Sequence, residues 1–168
     1  VVCDKPELAG DSITDIGKTL YHAVRPYGGA LCVAGLDTSE FVATSGLPKA
    51  KPRTIEGYAA VNRIGELPGA ADWTHEYGDA ANTLMSQDDL VKAPLGLLWY
   101  GGPSSDGSLF FDRHDWAPSA TIIDGRMFFQ GPSTFAAVDV YTGRMLWKLP
   151  LPVGVNPGRR SNWGSHGY

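Results

Sequence analysis

Residues 120–150 read ATIIDGRMFFQGPSTFAAVDVYTGRMLWKLP, and their reading decides the fold. Asp124-Gly125 stands between two runs of β-branched, apolar and aromatic residues, TII and RMFF. An Asp-Gly pair flanked in this way is the strongest short-range signal of a β-hairpin, because both residues tolerate the positive φ that a tight primed turn demands. Thr142-Gly143 sits the same way between FAAVDV and RMLWKL. Three short strands joined by tight turns are therefore expected, a meander of the kind from which all-β repeats are built.

Working outward, the same texture extends back to Trp73. The segments WTHEYGDAANTLMS, LGLLWYGG, SATIIDGRMFFQG and FAAVDVYTGRMLWKLPLP are apolar or aromatic runs closed by Gly, Pro or Asp, which predicts short strands and turns. Gly 21 and Pro 12 make up about a fifth of the 168 residues, against roughly 12% in average chains, so turns are frequent.

The N-terminal stretch has a different period. Val1–Cys3 reads as the tail of a strand, and Ile13, Ile16, Leu20 and Val24 recur at helical spacing. Ser12 with Asp15 three residues on is a weaker form of the capping box, with Asp in place of Glu or Gln. Pro26, Gly28 and Gly29 end the helix, and Ala30–Ala34 is the almost wholly apolar run of a covered parallel strand. Such a β-α-β piece cannot bury its own faces, so further strands are expected from sequence outside the 168 residues or from another chain. Residues 37–71 lack a sustained period, and SGLPKAKPRTIEG, with two prolines and basic residues, predicts an exposed linker. The expected organisation is thus 1–36, a linker over 37–71, and a β-rich region over 72–168.

Bulk composition excludes several classes of function. With 43% hydrophobic residues and a formal charge of −4, the chain should bury a core, and it has no Lys/Arg cluster to neutralise phosphates, so nucleic acid is not an expected partner. No run of about 18 apolar residues is present to span a bilayer, and the N-terminus lacks the basic region, apolar run and cleavage site of a signal peptide. Cys3 and Cys32 are read as two thiols behaving as small apolar groups, with one disulfide as the alternative.

Ala137, Asp139, Thr142, Gly143 and Trp147 fit the pattern A-x-D-x-x-T-G-x-x-x-W. In physical terms Asp139 can accept hydrogen bonds from turn amides, Thr142 adds a hydroxyl, and Gly143 permits positive φ. Trp147 presents a flat face and an N–H to a neighbour. The pattern resembles the tryptophan-docking motif of pyrroloquinoline-quinone-type β-propellers, in which it joins blades structurally. The stretch from Trp73 to Gly102 is similar to the opening strand of quinoprotein dehydrogenase propellers, with Trp73, Tyr77, Gly78, Asn82, Thr83 and Trp99 at the matching positions. YHAVRPYGGALCVAG, residues 21–35, resembles the late helix-turn-strand of class I S-adenosylmethionine-dependent methyltransferases. The chain contains neither the glycine-rich loop nor the acidic residue through which that family binds its cofactor, so cofactor binding is not carried over. Asp4, after the first strand, is read as a plain loop carboxylate.

These resemblances imply a mixed fold, a short Rossmann-like α/β remnant followed by antiparallel β-propeller blades. They also imply a piece of a larger bacterial protein of planctomycete type, with a periplasmic or cell-envelope location. A propeller ring needs roughly four to eight blades of about 40–50 residues, and this chain has room for one or two. The dehydrogenases hold their quinone against a disulfide of adjacent cysteines and bind Ca²⁺ through several blades. Cys3 and Cys32 are not adjacent, so quinone and Ca²⁺ are expected only in a parent protein. The expected role is binding or scaffolding, with the remainder of the parent protein or other subunits as partners. The alternatives are a blade of a quinoprotein-type oxidoreductase and part of a methyltransferase-related enzyme.

The most function-like local cluster is Arg113, His114, Asp115 and Trp116, where an imidazole next to the Asp115 carboxylate could serve as a base, a ligand or a pocket wall. His75 and His166 stand alone and read as hydrogen-bonded or surface groups. No nucleophile elbow, phosphate-binding loop or Cys-x-x-Cys occurs. The tail GRRSNWGSHGY reads as a connector into a further strand.

Overall fold

The computed structural model describes residues 1–6, 11–101, 109, 119–131 and 133–152. The chain has a mixed α/β fold divided into two compact units, Val1–Pro68 and Gly69–Tyr168.

The first unit runs β1 (Val2–Cys3), α1 (Ile13–His22), β2 (Gly29–Val33), α2 (Thr38–Ser45), β3 (Ala50–Ile55) and β4 (Tyr58–Arg63). Its sheet has the order β1-β2-β4-β3, with β1 parallel to β2 and β4 antiparallel to both its neighbours. Helix α1 starts where Ser12 stops the chain. Its hydroxyl oxygen accepts from the Asp15 amide at 3.1 Å, which makes Ser12 the N-cap, while its O–H donates to the Asp15 carboxylate at 2.6 Å, so Asp15 turns to the Ser12 hydroxyl and not to the Ser12 amide that a capping box would use. Asp37 caps α2 likewise, accepting from the amides of Ser39 and Glu40 at 3.0 Å. The apolar face of α1 meets β2 and β4 in a core of Tyr21, Val24, Leu31, Val33, Leu36, Phe41 and Val61. Tyr21 is fully buried there and donates its hydroxyl to the Pro48 carbonyl at 2.9 Å, which satisfies the one polar atom the ring carries inside.

Two expectations are corrected in this unit. Residues 37–68 are not a linker: they form α2, β3 and β4, and they supply Phe41 and Val61 to the core. The prolines misled because β3 is the outer strand of the sheet, where Pro52 costs no inner ladder bond. The neighbour that the β-α-β piece lacks on one side also comes from within the chain, since β2 pairs with β4 through Gly29↔Arg63, Ala30↔Asn62 and Leu31↔Val61. Parallel register places Val2 opposite Cys32 and Cys3 opposite Val33, so the two cysteines point to opposite faces and are free thiols.

The second unit holds β5 (Thr121–Ile123), β6 (Arg126–Gln130), β7 (Thr134–Asp139) and β8 (Met145–Pro150), an antiparallel meander in sequence order. Asp124 and Gly125 both take positive φ, 50° and 71°, which makes the β5–β6 connection a primed two-residue turn. Inner strand β7 carries the most deeply buried residues, Ala136, Ala137, Val138 and Asp139, all at 0% exposure. Trp73 adds a single antiparallel bridge to β5, exchanging two main-chain bonds with Ile122 at 2.9 and 2.8 Å. The run Leu95–Tyr100, expected as a strand, belongs to none. Among the described residues no helix is long and apolar enough to cross a membrane.

Candidate docking site

The turn between β7 and β8 is built around one buried carboxylate. Asp139 Oδ1 accepts from the amides of Tyr141 and Thr142 at 3.0 and 3.1 Å, while its carbonyl accepts from Gly143 N at 2.8 Å and its own amide donates to the Arg144 carbonyl at 2.9 Å. The Thr142 hydroxyl accepts from the Arg144 amide at 3.4 Å. Gly143 takes φ of 67°, where an L side chain is strained. The register slips between Ala137 and Val138, a bulge that sharpens the bend into β8.

Onto this turn the chain lays Trp99. The indole Nε1 donates to the Val140 carbonyl at 2.8 Å, and the six-membered ring lies so close that a methyl built on Gly143 would stand 2.5 Å from Cε3 and 2.7 Å from Cδ2. Glycine at 143 thus answers two demands, the left-handed backbone and the flat ring against it. The sequence marked Trp99 as a motif position, and only the fold shows that it seats on Gly143, 44 positions further along the chain.

Trp147 lies on β8 directly opposite Ala137. It is half-buried against Phe135 and Phe128 of its own sheet, with ring centroids 5.4 and 6.1 Å away. The remaining edge of this aromatic face is open, with Ile123 and Leu149 exposed by 39% and 55%.

The segment after Trp73 folds as its residue types require. The Trp73 ring packs over Gly78, at 3.4 Å from where a Cβ would be, and Thr74 N donates to the Gly78 carbonyl at 3.0 Å. Tyr77 takes the Leu84 amide on its carbonyl at 3.0 Å, and Asn82 adopts φ of 57°. Asp79 and Asp88, which sequence reasoning passed over, organise this segment. Asp79 accepts from the Thr83 hydroxyl at 2.7 Å and from the amides of Ala81 and Thr83, and the Thr83 hydroxyl chiefly holds its carboxyl below the ordinary range. Asp88 accepts from the amides of Leu90, Val91 and Ala71, and its carboxyl is lowered mainly by the Val91 amide. The spacing D-x-x-x-T was the available signal for the first of these.

Other sequence candidates do not assemble into a site. His75 is exposed, with Nδ1 2.8 Å from the neighbouring Thr74 hydroxyl. Arg113, His114, Asp115, Trp116 and His166 lie outside the described residues. In the first unit a cleft of about 370 Å³ opens at the carboxyl ends of β1 and β2, lined by Pro6, Asp11, Ile13, Ile16, Ala34 and Gly35. Asp4 is exposed and does not line it. Among the described residues no group of three His, Cys, Asp or Glu side chains is placed to hold a metal ion. Comparison with protein families, curated proteins and solved structures finds no match to this chain.

Proposed function

We propose that residues 69–168 are a binding or scaffolding module built of β-propeller-type repeats, in which a tryptophan of one repeat docks on the turn of the next, and that this module is not catalytic on its own. The observation that carries the reading is the seat of Trp99 on Gly143 with its N–H on the Val140 carbonyl. A ring that buries a flat face and satisfies its only donor on a rigid turn is an adhesive, and it leaves no reactive group behind. The antiparallel order β5-β6-β7-β8 is that expected of a blade. Trp147, in the corresponding position on β8, would offer its outer surface to a further repeat. In the first unit, the parallel β1–α1–β2 arrangement is compatible with a methyltransferase-like α/β piece, and we assign it a structural role.

The chain is expected to carry no quinone. The test is absorbance and native mass spectrometry of the protein after incubation with pyrroloquinoline quinone and Ca²⁺. An apoprotein mass is the expected result, and a stoichiometric quinone adduct would overturn the non-catalytic reading in favour of a quinoprotein oxidoreductase.

A further inference from the structure

Residues 95–100, Leu-Gly-Leu-Leu-Trp-Tyr, combine three properties found together nowhere else among the described residues. Leu95, Leu97, Leu98 and Tyr100 are exposed by 76, 79, 69 and 86%. No main-chain N–H or C=O of residues 95–100 bonds to any described residue. The segment is nevertheless held in place, because the Trp99 indole between these exposed side chains is seated on Gly143.

The sequence indicates what is missing. Leu97-Leu98-Trp99 repeats Met145-Leu146-Trp147, and in β8 that triplet lies in a ladder against inner strand β7, with Trp147 opposite Ala137. Residues 95–100 therefore have the side chains of an outer strand like β8 without the inner strand beside it. Their surroundings point the same way. Outer strand β3 carries Lys51, Pro52 and Arg53, and β8 ends in Lys148 and Pro150, the charges and prolines that keep exposed edges from pairing. From Ala93 to Gly101 there is no charge at all. An apolar row with open main-chain groups and no such guard is suited to strand addition.

We propose that residues 95–100 are a docking strand whose partner is the free edge of an antiparallel sheet ending in a β7-like strand, small and apolar at alternate positions. The partner's edge supplies main-chain hydrogen bonds to residues 95–100 and covers Leu95, Leu97 and Leu98. This inference rests on reading Trp99 as a docked tryptophan.

The test uses the full chain and, as probe, a capped peptide of residues 133–141, the β7 sequence, carrying a lysine tag for solubility. Amide hydrogen exchange of residues 95–100 should slow by about ten-fold or more when the peptide is added. Leu97→Pro and Leu98→Pro each remove an N–H from one of the two strand edges, and one of them should abolish the protection while β5–β8 keeps its circular dichroism. No protection with the peptide at millimolar concentration, or protection that survives both proline variants, overturns the proposal. Trp99→Ala separates it from the reading beneath it. Unchanged thermal stability in that variant means that the docked tryptophan is not an anchor and that the earlier reading fails. A destabilised Trp99→Ala with no peptide protection in the parent chain means that only the docking strand fails.

Discussion

The ring of Trp99 occupies the space that a side chain at position 143 would need. Gly143, at φ 67°, combines a backbone requirement with a contact requirement, and the two should separate by mutation. Gly143→Ala should lose roughly 1–2 kcal/mol from the left-handed backbone, and it should lose more because the new methyl displaces the indole. Trp99→Phe keeps a ring but gives up the bond to Val140, a loss of about 1 kcal/mol. The pair should be non-additive in a double-mutant cycle followed by chemical denaturation, since once the indole has moved its bond has already gone. Strict additivity would show that the two residues do not interact in solution.

Asp139 holds the turn itself. Asp139→Ala removes the acceptor of the Tyr141 and Thr142 amides at a part-buried turn, a loss of about 1 kcal/mol per bond. Asp139→Asn keeps an oxygen in the same place and should lose clearly less. Thermal melts of both variants check this, and equal losses would count against the acceptor role.

Trp147 is half-covered by its own sheet, so Trp147→Ala should cost the chain about 2 kcal/mol, below the 3–5 typical of a fully buried Trp. In a longer protein with a following repeat the same substitution should cost more, because the outer face is then also covered. Melts of the variant in both contexts test this, and negligible shifts in both would remove the inter-repeat role.

Arg63 is 6% exposed, donates to the Val24 carbonyl at 2.9 Å, and stacks over Tyr21 at 5.5 Å from the ring centroid. It closes the C-terminal end of α1, where helix carbonyls lack partners. Arg63→Met fills the space but leaves the Val24 carbonyl without this donor, a loss of about 1–3 kcal/mol. The five tryptophans all follow residue 68, whereas both described helices precede it. Helical ellipticity is therefore the probe that should shift.

Asp79 and Asp88 titrate below their ordinary value of 3.8, Asp79 chiefly through the Thr83 hydroxyl and Asp88 chiefly through the Val91 amide. A depressed carboxylate contributes stability above its unfolded value, and that contribution is lost as pH falls through the folded one. The turn at 79–83 and the segment at 88–91 should hold between neutrality and about pH 4 and loosen below it. Hydrogen exchange at Thr83 and Val91, corrected for the intrinsic pH dependence, measures this. Asp79→Asn should flatten the profile at Thr83, and a profile that the substitution leaves unchanged would exclude Asp79 as the titrating group.

Local signals in the sequence determined the α1 cap at Ser12, the hairpin at Asp124-Gly125 and the turn at Thr142-Gly143. In each case residues a few positions apart satisfy one another's backbone requirements, and no distant contact is needed. The hairpin between β3 and β4 was not legible, because its turn is Glu56-Gly57, with φ of 50° and 85°, and Glu is a poor marker of that conformation. Its partner strand contains a proline that only an outer position tolerates, and outer position is a property of the sheet. Tertiary structure alone decided that residues 37–68 pack into the core, that Cys3 and Cys32 face apart, and that Trp99 seats on Gly143 while Leu95–Tyr100 remains without a ladder. The physical reason is the same in all three cases: burial and pairing depend on what chain closure brings from far along the sequence, and a local pattern specifies only the surface offered to it.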